Sequence, residues 1–287
     1  MKDKILDGKK LANILNLELK EKISTSIEKT GVIPKLVTII VGNNPSSKVY
    51  VNIKQKTCEK VGIKSIIREL NENIPLNQLI EEIIIYNNDP SIHGILLQMP
   101  LPENLRAKTS EIVDYITPSK DVDGSNSATK GKLFNYDEEL APCTPKGIIE
   151  LLEFYKIELR GKEVVIINRS NLVGKPLIFM LLKRNATVSI CHTSTKDIEK
   201  HIKNADILIV GVGKPTFITK DKIKEGVIIV DVGINRVDGK LCGDVDFDGV
   251  FDKCSKITPS PGGVGPLTVA FLMQNTYLAY KKQLKLY

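Results

Sequence analysis

In the segment Ser46 to Lys56, SSKVYVNIKQK, Tyr50 and Lys54 stand four residues apart. That spacing puts both side chains on one face, whether the segment is a helix or a strand. A phenol beside a primary amine offers an aromatic platform and, where burial lowers the proton affinity of the amine, a base. On this segment alone the simpler account is a solvated lysine beside a half-buried tyrosine, because lysines are mostly exposed. A second group lies further along. Asn168, Arg169 and Ser170 follow one apolar run, and the next runs out into Cys191, His192, Thr193 and Ser194. An arginine near hydroxyls, with no carboxylate at the strand end, suits a phosphate ester by charge and by its donor fork.

Short β-branched runs must position these groups: KLVTIIVG (35–42), GILLQMP (94–100), EVVIIN (163–168), TVSIC (187–191), DILIVGVG (206–213) and GVIIVDVG (226–233). Alternating with helix-length amphipathic stretches, they predict parallel strands in βαβ units and an α/β class. The N-terminus reads as a short strand, a turn at Gly8 and an amphipathic helix. From Asp121 to Pro145 the pattern lapses into turn formers, which places the domain junction there. Thr144 is expected to cap a helix with Pro145 at its first position. A last helix is expected from about Pro266 to residue 287. The division that results is 1–143, joined by the helix 266–287, and 144–265.

Residues 162–194 have the strand, loop, helix, strand order of one dinucleotide-binding unit. The glycine fingerprint is incomplete, since NRSNLVG supplies only Gly174; the position of the loop carries the reading, because a helix N-terminus offers N–H groups to a pyrophosphate. An NAD site usually ends the following strand with an acid that binds the ribose 2′-hydroxyl. None stands here, so the expected cofactor is NADP, held by Arg169. The glycines of GVG (211–213) and DVGIN (231–235) would let backbone approach it closely.

Composition narrows the classes. The 287 residues carry a net charge of +7, from 41 Lys and Arg against 34 Asp and Glu, spread along the chain with few aromatics between. That argues against a nucleic-acid partner, while a mild positive field steers anionic ligands. Charges interrupt the N-terminal apolar residues, so neither a secretory signal nor a membrane span is expected there. Five scattered cysteines give no C-x-x-C pair and fit a reducing, cytoplasmic setting. DVDFDG (Asp244–Gly249) copies half of a calcium loop, but its twelfth position is Ser255; DVDG at Asp121 reaches Lys132 at the same point. The three histidines show no ligand spacing, and no metal is expected.

PSPGGVGPLTV (Pro259–Val269), taken with EEIIIYNNDPSIHGILLQMPLP, PSKDVDG and VGNNPSSKVYVNIKQK, resembles the bifunctional methylenetetrahydrofolate dehydrogenase/cyclohydrolase family, in family order from ILDGK to the last helix. The resemblance implies two α/β domains with parallel sheets, the second Rossmann-like and NADP-binding, and a folate cleft between them. It implies that Tyr50 stacks on the folate, that Lys54 is catalytic with Gln98 supporting it, and that Asp123 binds the pterin. Pro261, Gly262 and Gly263 would line the substrate. Asn168, Arg169, Ser170, Thr193 and Ile234 would contact the cofactor. The implied partners are tetrahydrofolate derivatives, polyglutamylated forms included, and a second copy in a homodimer. Three positions depart from the family pattern: Asn168 for glycine, Met99 for leucine and Leu267 for methionine. Asparagine tolerates a positive φ better than most residues. The SNSATKG stretch after Gly124 also replaces the aromatic or apolar residues common there.

The implied chemistry has two halves. Oxidising 5,10-methylenetetrahydrofolate removes a hydride and leaves a cation delocalised over two nitrogens, so orientation matters more than a base. Hydrolysing the methenyl product requires water to attack and lose a proton, which needs a base and then an acid. A lysine of depressed pKa, oriented by a neutral carboxamide, fits that step. Two rivals are an NAD-dependent dehydrogenase without cyclohydrolase activity and a non-catalytic nucleotide-binding homologue. The first would put an acid after TVSIC; the second would lose Lys54 or break PGGVGP.

Overall fold

The computed structural model describes residues 2–286. They divide into two compact units, 14–143 with 269–286, and 2–13 with 144–268. The first unit is built on a parallel sheet of order β2-β1-β3, from β1 (Lys35–Val41), β2 (Lys64–Leu70) and β3 (Gly94–Leu97). Its helices are the greater part of α1 (Gly8–Thr30), then α2 (Pro45–Val61), α3 (Leu76–Asn88), α4 (Glu103–Arg106), α5 (Thr109–Asp114) and α6 (Ser127–Lys132).

Alternate residues of β1 serve opposite faces, as strand geometry requires. Leu36 joins Leu19, Ile23, Cys58 and Leu272 in one core, and Val37 and Ile39 join Leu79, Ile83 and Ile112 in the other. Each such aliphatic side chain contributes about 1.5–3 kcal/mol by leaving water. No apolar run marked β2, because its sequence KSIIREL mixes three charged residues into an edge strand with no fully buried position. Lys120 is buried, and its ammonium donates to the carbonyls of Tyr86, Asn87 and Asp89, which closes the C-terminal end of α3.

The second unit holds a five-stranded parallel sheet of order β10-β7-β6-β4-β5. Its strands are β4 (Glu163–Ile167), β5 (Thr187–Cys191), β6 (Ile207–Val210), β7 (Ile228–Asp231) and β10 (Lys256–Ile257), with a hairpin of β8 (Asn235–Val237) and β9 (Lys240–Cys242). The helices are α7 (Cys143–Phe154), α8 (Gly174–Leu182), α9 (Ile198–Asn204), α10 (Phe247–Val250) and the start of α11 (Val264–Gln283). Sheet order reverses between β4 and β6, which in open α/β sheets marks the ligand crevice at the carboxyl ends of the strands.

Four local expectations need correcting. Residues 2–13, read as part of the first domain, belong to the unit of 144–268: the N–H of Leu6 bonds to Ile257 O at 2.8 Å and that of Lys9 to Gly262 O at 2.9 Å. The short N-terminal strand is a single helical turn, Lys2–Lys4, followed by one parallel bridge from Ile5 to Ile257. Thr144 is no cap, because α7 already starts at Cys143; its hydroxyl lies 2.9 Å from that of Thr268. The last helix starts at Val264, two residues before Pro266.

Candidate active site

The first unit turns the opening pair into a cluster. Asn44 caps α2 by accepting the N–H of Ser47 at 3.0 Å, Pro45 fills the first turn, and Gly62 ends the helix at φ 89°. Tyr50 and Lys54 therefore lie in a firmly bounded helix, one turn apart and both half-buried. The ammonium of Lys54 donates to Gln98 Oε1 at 2.8 Å. Gln98 follows β3, is 8% exposed, and donates its own Nε2 to Met99 O at 2.6 Å, so the amide orientation is fixed. Ser47 Oγ adds a bond to the same carbonyl at 3.3 Å.

Electrostatics sharpen the picture. Burial lowers the pKa of Lys54 from its ordinary 10.5, while the negative forms of Asp123, Cys143 and Cys58 pull the other way. Burial raises the carboxyl of Asp123, against the pull of Lys54 and a hydrogen bond from the Cys143 thiol. Burial also raises the Tyr50 phenol, which stays protonated. Each group is thus pushed toward its neutral form.

The neighbouring carboxylate, Asp121, is occupied elsewhere. It is 0% exposed and accepts the N–H and hydroxyl of Ser125 and the N–H of Asn126. Asn126 in turn caps α6 and donates to Asp114 O and Ile116 O. Asp121 folds the DVDGSN loop and thereby presents Asp123. SNSATKG, the stretch that departs from the family pattern, contains this buried scaffold and the start of α6.

In the second unit Arg169 and Thr193 are brought together, Nη2 to Oγ1 at 3.5 Å, and both are exposed. Ser170 is exposed beside them, and its hydroxyl accepts the N–H of Val173 at 3.1 Å. Asn168 is the loop's internal brace. Its Oδ1 accepts the N–H of Ser170 at 2.8 Å and of Gly174 at 3.1 Å, and its Nδ2 donates to Gly211 O at 2.5 Å. It is not among the residues of positive φ, so tolerance of that region does not explain the asparagine. A side chain on Gly174 would lie 2.0 Å from Asn168 O, which accounts for the glycine. Ile234 is 47% exposed. Pro261, Gly262 and Gly263 belong to this unit, unlike Tyr50, Lys54, Gln98 and Asp123; Gly262 has φ 112°, and Ser260 Oγ donates to Gly233 O at 2.8 Å.

Residues 6–123 match the model of the tetrahydrofolate dehydrogenase/cyclohydrolase catalytic domain, and residues 142–284 that of the NAD(P)-binding domain of the same proteins. The chain belongs to the tetrahydrofolate dehydrogenase/cyclohydrolase family. It is 48% identical over 278 residues to the bifunctional protein FolD of Nautilia profundicola, covering 96% of this chain and 97% of that one. The crystal structure of the FolD dehydrogenase/cyclohydrolase of Campylobacter jejuni matches with a TM-score of 0.93 at 47% identity, over 97% of this chain and 99% of that one. The Trypanosoma brucei FolD, complexed with NADP cofactor and inhibitor, matches with a TM-score of 0.93 at 32% identity, over 98% of each chain.

Two further residues, outside the sequence-based expectations, organise the second unit. Asp231 and Asp244 are buried carboxylates that tie separate loops together. Asp244 was visible only as the first acid of a failed calcium loop. The hint lay in two glycines, Gly233 and Gly243, each next to where the other segment's acid must fit. Among the described residues no group of three or more His, Cys, Asp and Glu could hold a metal ion.

Proposed function

We propose that this chain oxidises 5,10-methylenetetrahydrofolate with NADP and then hydrolyses the methenyl product to 10-formyltetrahydrofolate, with Lys54 as the base of the second step. The observation that carries the reading is the 2.8 Å bond from Lys54 to the neutral amide of Gln98, in surroundings that lower the lysine pKa. A carboxylate in place of that amide would hold the amine protonated; the amide orients it and leaves it able to accept a proton.

Tyr50 supplies a ring face on which the folate stacks, one turn from the amine. Asp123 accepts N–H groups of the pterin and so sets the reacting carbon against Lys54 in both steps. In the oxidation no proton leaves, and the chain's task is orientation. Bound NADP supplies the hydride acceptor. In the hydrolysis, water adds to the cationic carbon, its proton passes to the Lys54 amine, and the same proton serves the leaving nitrogen as its bond to carbon opens. The turn Pro261–Gly263 contributes backbone to the substrate.

The donor set after β4 and β5 fits NADP. Arg169 and Thr193 converge at a strand end, from Cys191 to Ser194, that holds no carboxylate, which favours a 2′-phosphate over a free 2′-hydroxyl. Ser170 and Ile234 are assigned to the same cofactor by exposure and by the family resemblance. Asn168 serves it by holding the loop. That resemblance also supports a cytoplasmic homodimer acting on polyglutamylated folates, and no helix among the described residues is long and apolar enough to cross a membrane.

The test is an assay of the purified protein with methylenetetrahydrofolate and either NADP or NAD, following methenyl formation and decay. NADP-dependent formation with enzymic decay is expected. Formation with NAD alone, or decay at the uncatalysed rate, would contradict the reading.

A further inference from the structure

Asp231 closes β7 at 4% exposure, and Asp244, two residues past β9, is 0% exposed. Carboxylates so deep need full sets of donors. Asp244 Oδ2 accepts the N–H of Val212 at 2.5 Å and of Gly213 at 3.0 Å. Its Oδ1 accepts the N–H of Lys214 at 2.9 Å and Nδ2 of Asn235 at 2.8 Å. Asp231 accepts the N–H of Gly233, of Asp244 itself and of Val245, at 2.9, 3.0 and 3.0 Å. Asp231 thus fixes the backbone that carries Asp244, and Asp244 fixes two loops.

Those loops are 211–214 after β6 and 232–235 after β7, both at the carboxyl edge of the sheet. Asn168 ties the first of them to the loop after β4, across the switch point. Ile234 lies between the two residues of its loop that the aspartates hold, Gly233 and Asn235. Gly233 fits against the carboxylate so closely that a side chain there would lie 2.4 Å from Asp244 Oδ1. Any shift of Asp244 therefore moves Ile234. Arg169, in the loop after β4, meets Thr193 past the end of β5, on the side of β4 away from β6. In a doubly wound sheet those two sides take the two halves of a dinucleotide.

We propose that Asp244, locked by Asp231, is a positioning residue for the nicotinamide half of the cofactor, acting through the backbone of 212–214 and through Ile234, while Arg169 and Thr193 hold the adenosine half. The inference rests on the NADP reading above. It separates the two halves, and a nucleotide fragment can separate them too: 2′,5′-ADP carries the 2′-phosphate but no nicotinamide.

The experiment titrates NADP and 2′,5′-ADP into wild type and Asp244→Asn, in which one acceptor oxygen becomes a donor facing N–H groups. Affinity for 2′,5′-ADP should stay within about twofold, while that for NADP falls by about tenfold or more. Dehydrogenase kcat should fall with both NADP and NAD, leaving their ratio unchanged, and hydrolysis of added methenyltetrahydrofolate should hold. Asn235→Ala removes one donor from Asp244 and leaves the carboxylate; it should show the same pattern more weakly and serves if Asp244→Asn does not fold. Equal loss of both nucleotides, or NADP affinity unchanged in either folded variant, would overturn the inference alone. A wild-type protein that binds neither nucleotide would overturn it together with the NADP reading.

Discussion

The aspartate pair of the second unit and the polar cluster around Lys54 in the first use their surroundings in opposite ways. Asp231 and Asp244 are surrounded by N–H donors from three stretches of chain, 212–214, 233–235 and 244–245, and their oxygens are spent on holding loops. In the Lys54, Gln98 and Asp123 cluster, by contrast, a lysine that can donate three bonds makes one to a neutral amide, the one described for it. Burial there drives both the amine and the acid toward neutrality. A saturated buried group fixes shape, and an under-satisfied one retains the capacity to exchange a proton. Asp121 and Asp123 repeat the contrast two residues apart, one folding its loop and the other coupled electrostatically to the lysine.

Lys54→Met keeps most of the stem and removes the titrating group, and it should have the largest effect. Cyclohydrolase activity should fall by about a hundredfold or more while NADP reduction stays measurable, because only the hydrolysis needs a base. Initial rates of methenyl hydrolysis and NADPH formation in one preparation check this; hydrolysis near the wild-type rate would make Lys54 a bystander beside Tyr50.

Substitution separates the adjacent acids next. Asp121→Ala strands three donors and should cost about 3 kcal/mol of stability, whereas Asp123→Ala should impair both activities with a much smaller change in the unfolding midpoint. Urea melts and kinetics on the two variants decide it, and equal midpoints would erase the distinction between scaffold and site.

Arg169→Ala probes an exposed polar group and should act on recognition alone. Loss of one charge-assisted partner, about 1.5–3 kcal/mol, lowers kcat/KM for NADP by about tenfold to a hundredfold and leaves NAD nearly untouched. An unchanged cofactor ratio would remove Arg169 from the 2′-phosphate.

The smallest effect concerns pH. Burial, with Asp244 nearby and against three backbone donors, lifts Asp231 from 3.8 to about 6. Between those values the folded chain binds a proton that the unfolded chain does not. Its contribution to stability is therefore full below about 3.8 and lost as pH rises through about 6. His93 works the other way: burial lowers it to about 4, so stability is lost on acidification from 6.5 toward that value. Asp231→Asn should change the slope of stability against pH between about 4 and 6. Parallel curves for variant and wild type would show that Asp231 does not titrate there.

Much of this was legible in the sequence because it is local. The apolar runs at 35–41, 163–167 and 207–210 became buried strands, and the four-residue spacing of Tyr50 and Lys54 needed only a helix to become a shared face. What escaped depends on distant pairing. β2 is a strand because β1 offers it a partner, despite its charges. Residues 2–13 join the second unit through bonds to Ile257 and Gly262, some 250 positions away, which no local pattern encodes. Asp231 and Asp244 are thirteen apart and separated by a hairpin, so neither looks like half of a frame until the backbone brings N–H groups to both. Asn168 was visible as a substitution, but its role as a brace depends on Gly211 arriving beside it from another strand.

Lys54 is proposed above to act as a base because burial and a neutral partner favour its free amine. The direct measurement is an NMR titration of the protein labelled with 13C at lysine Cε, with the Lys54 signal assigned by its absence in Lys54→Met. This signal is expected to titrate below those of the exposed lysines and below the ordinary value of 10.5, and the rate of methenyl hydrolysis to rise with pH along the same curve. A Lys54 signal that titrates with the solvent-exposed lysines would contradict it.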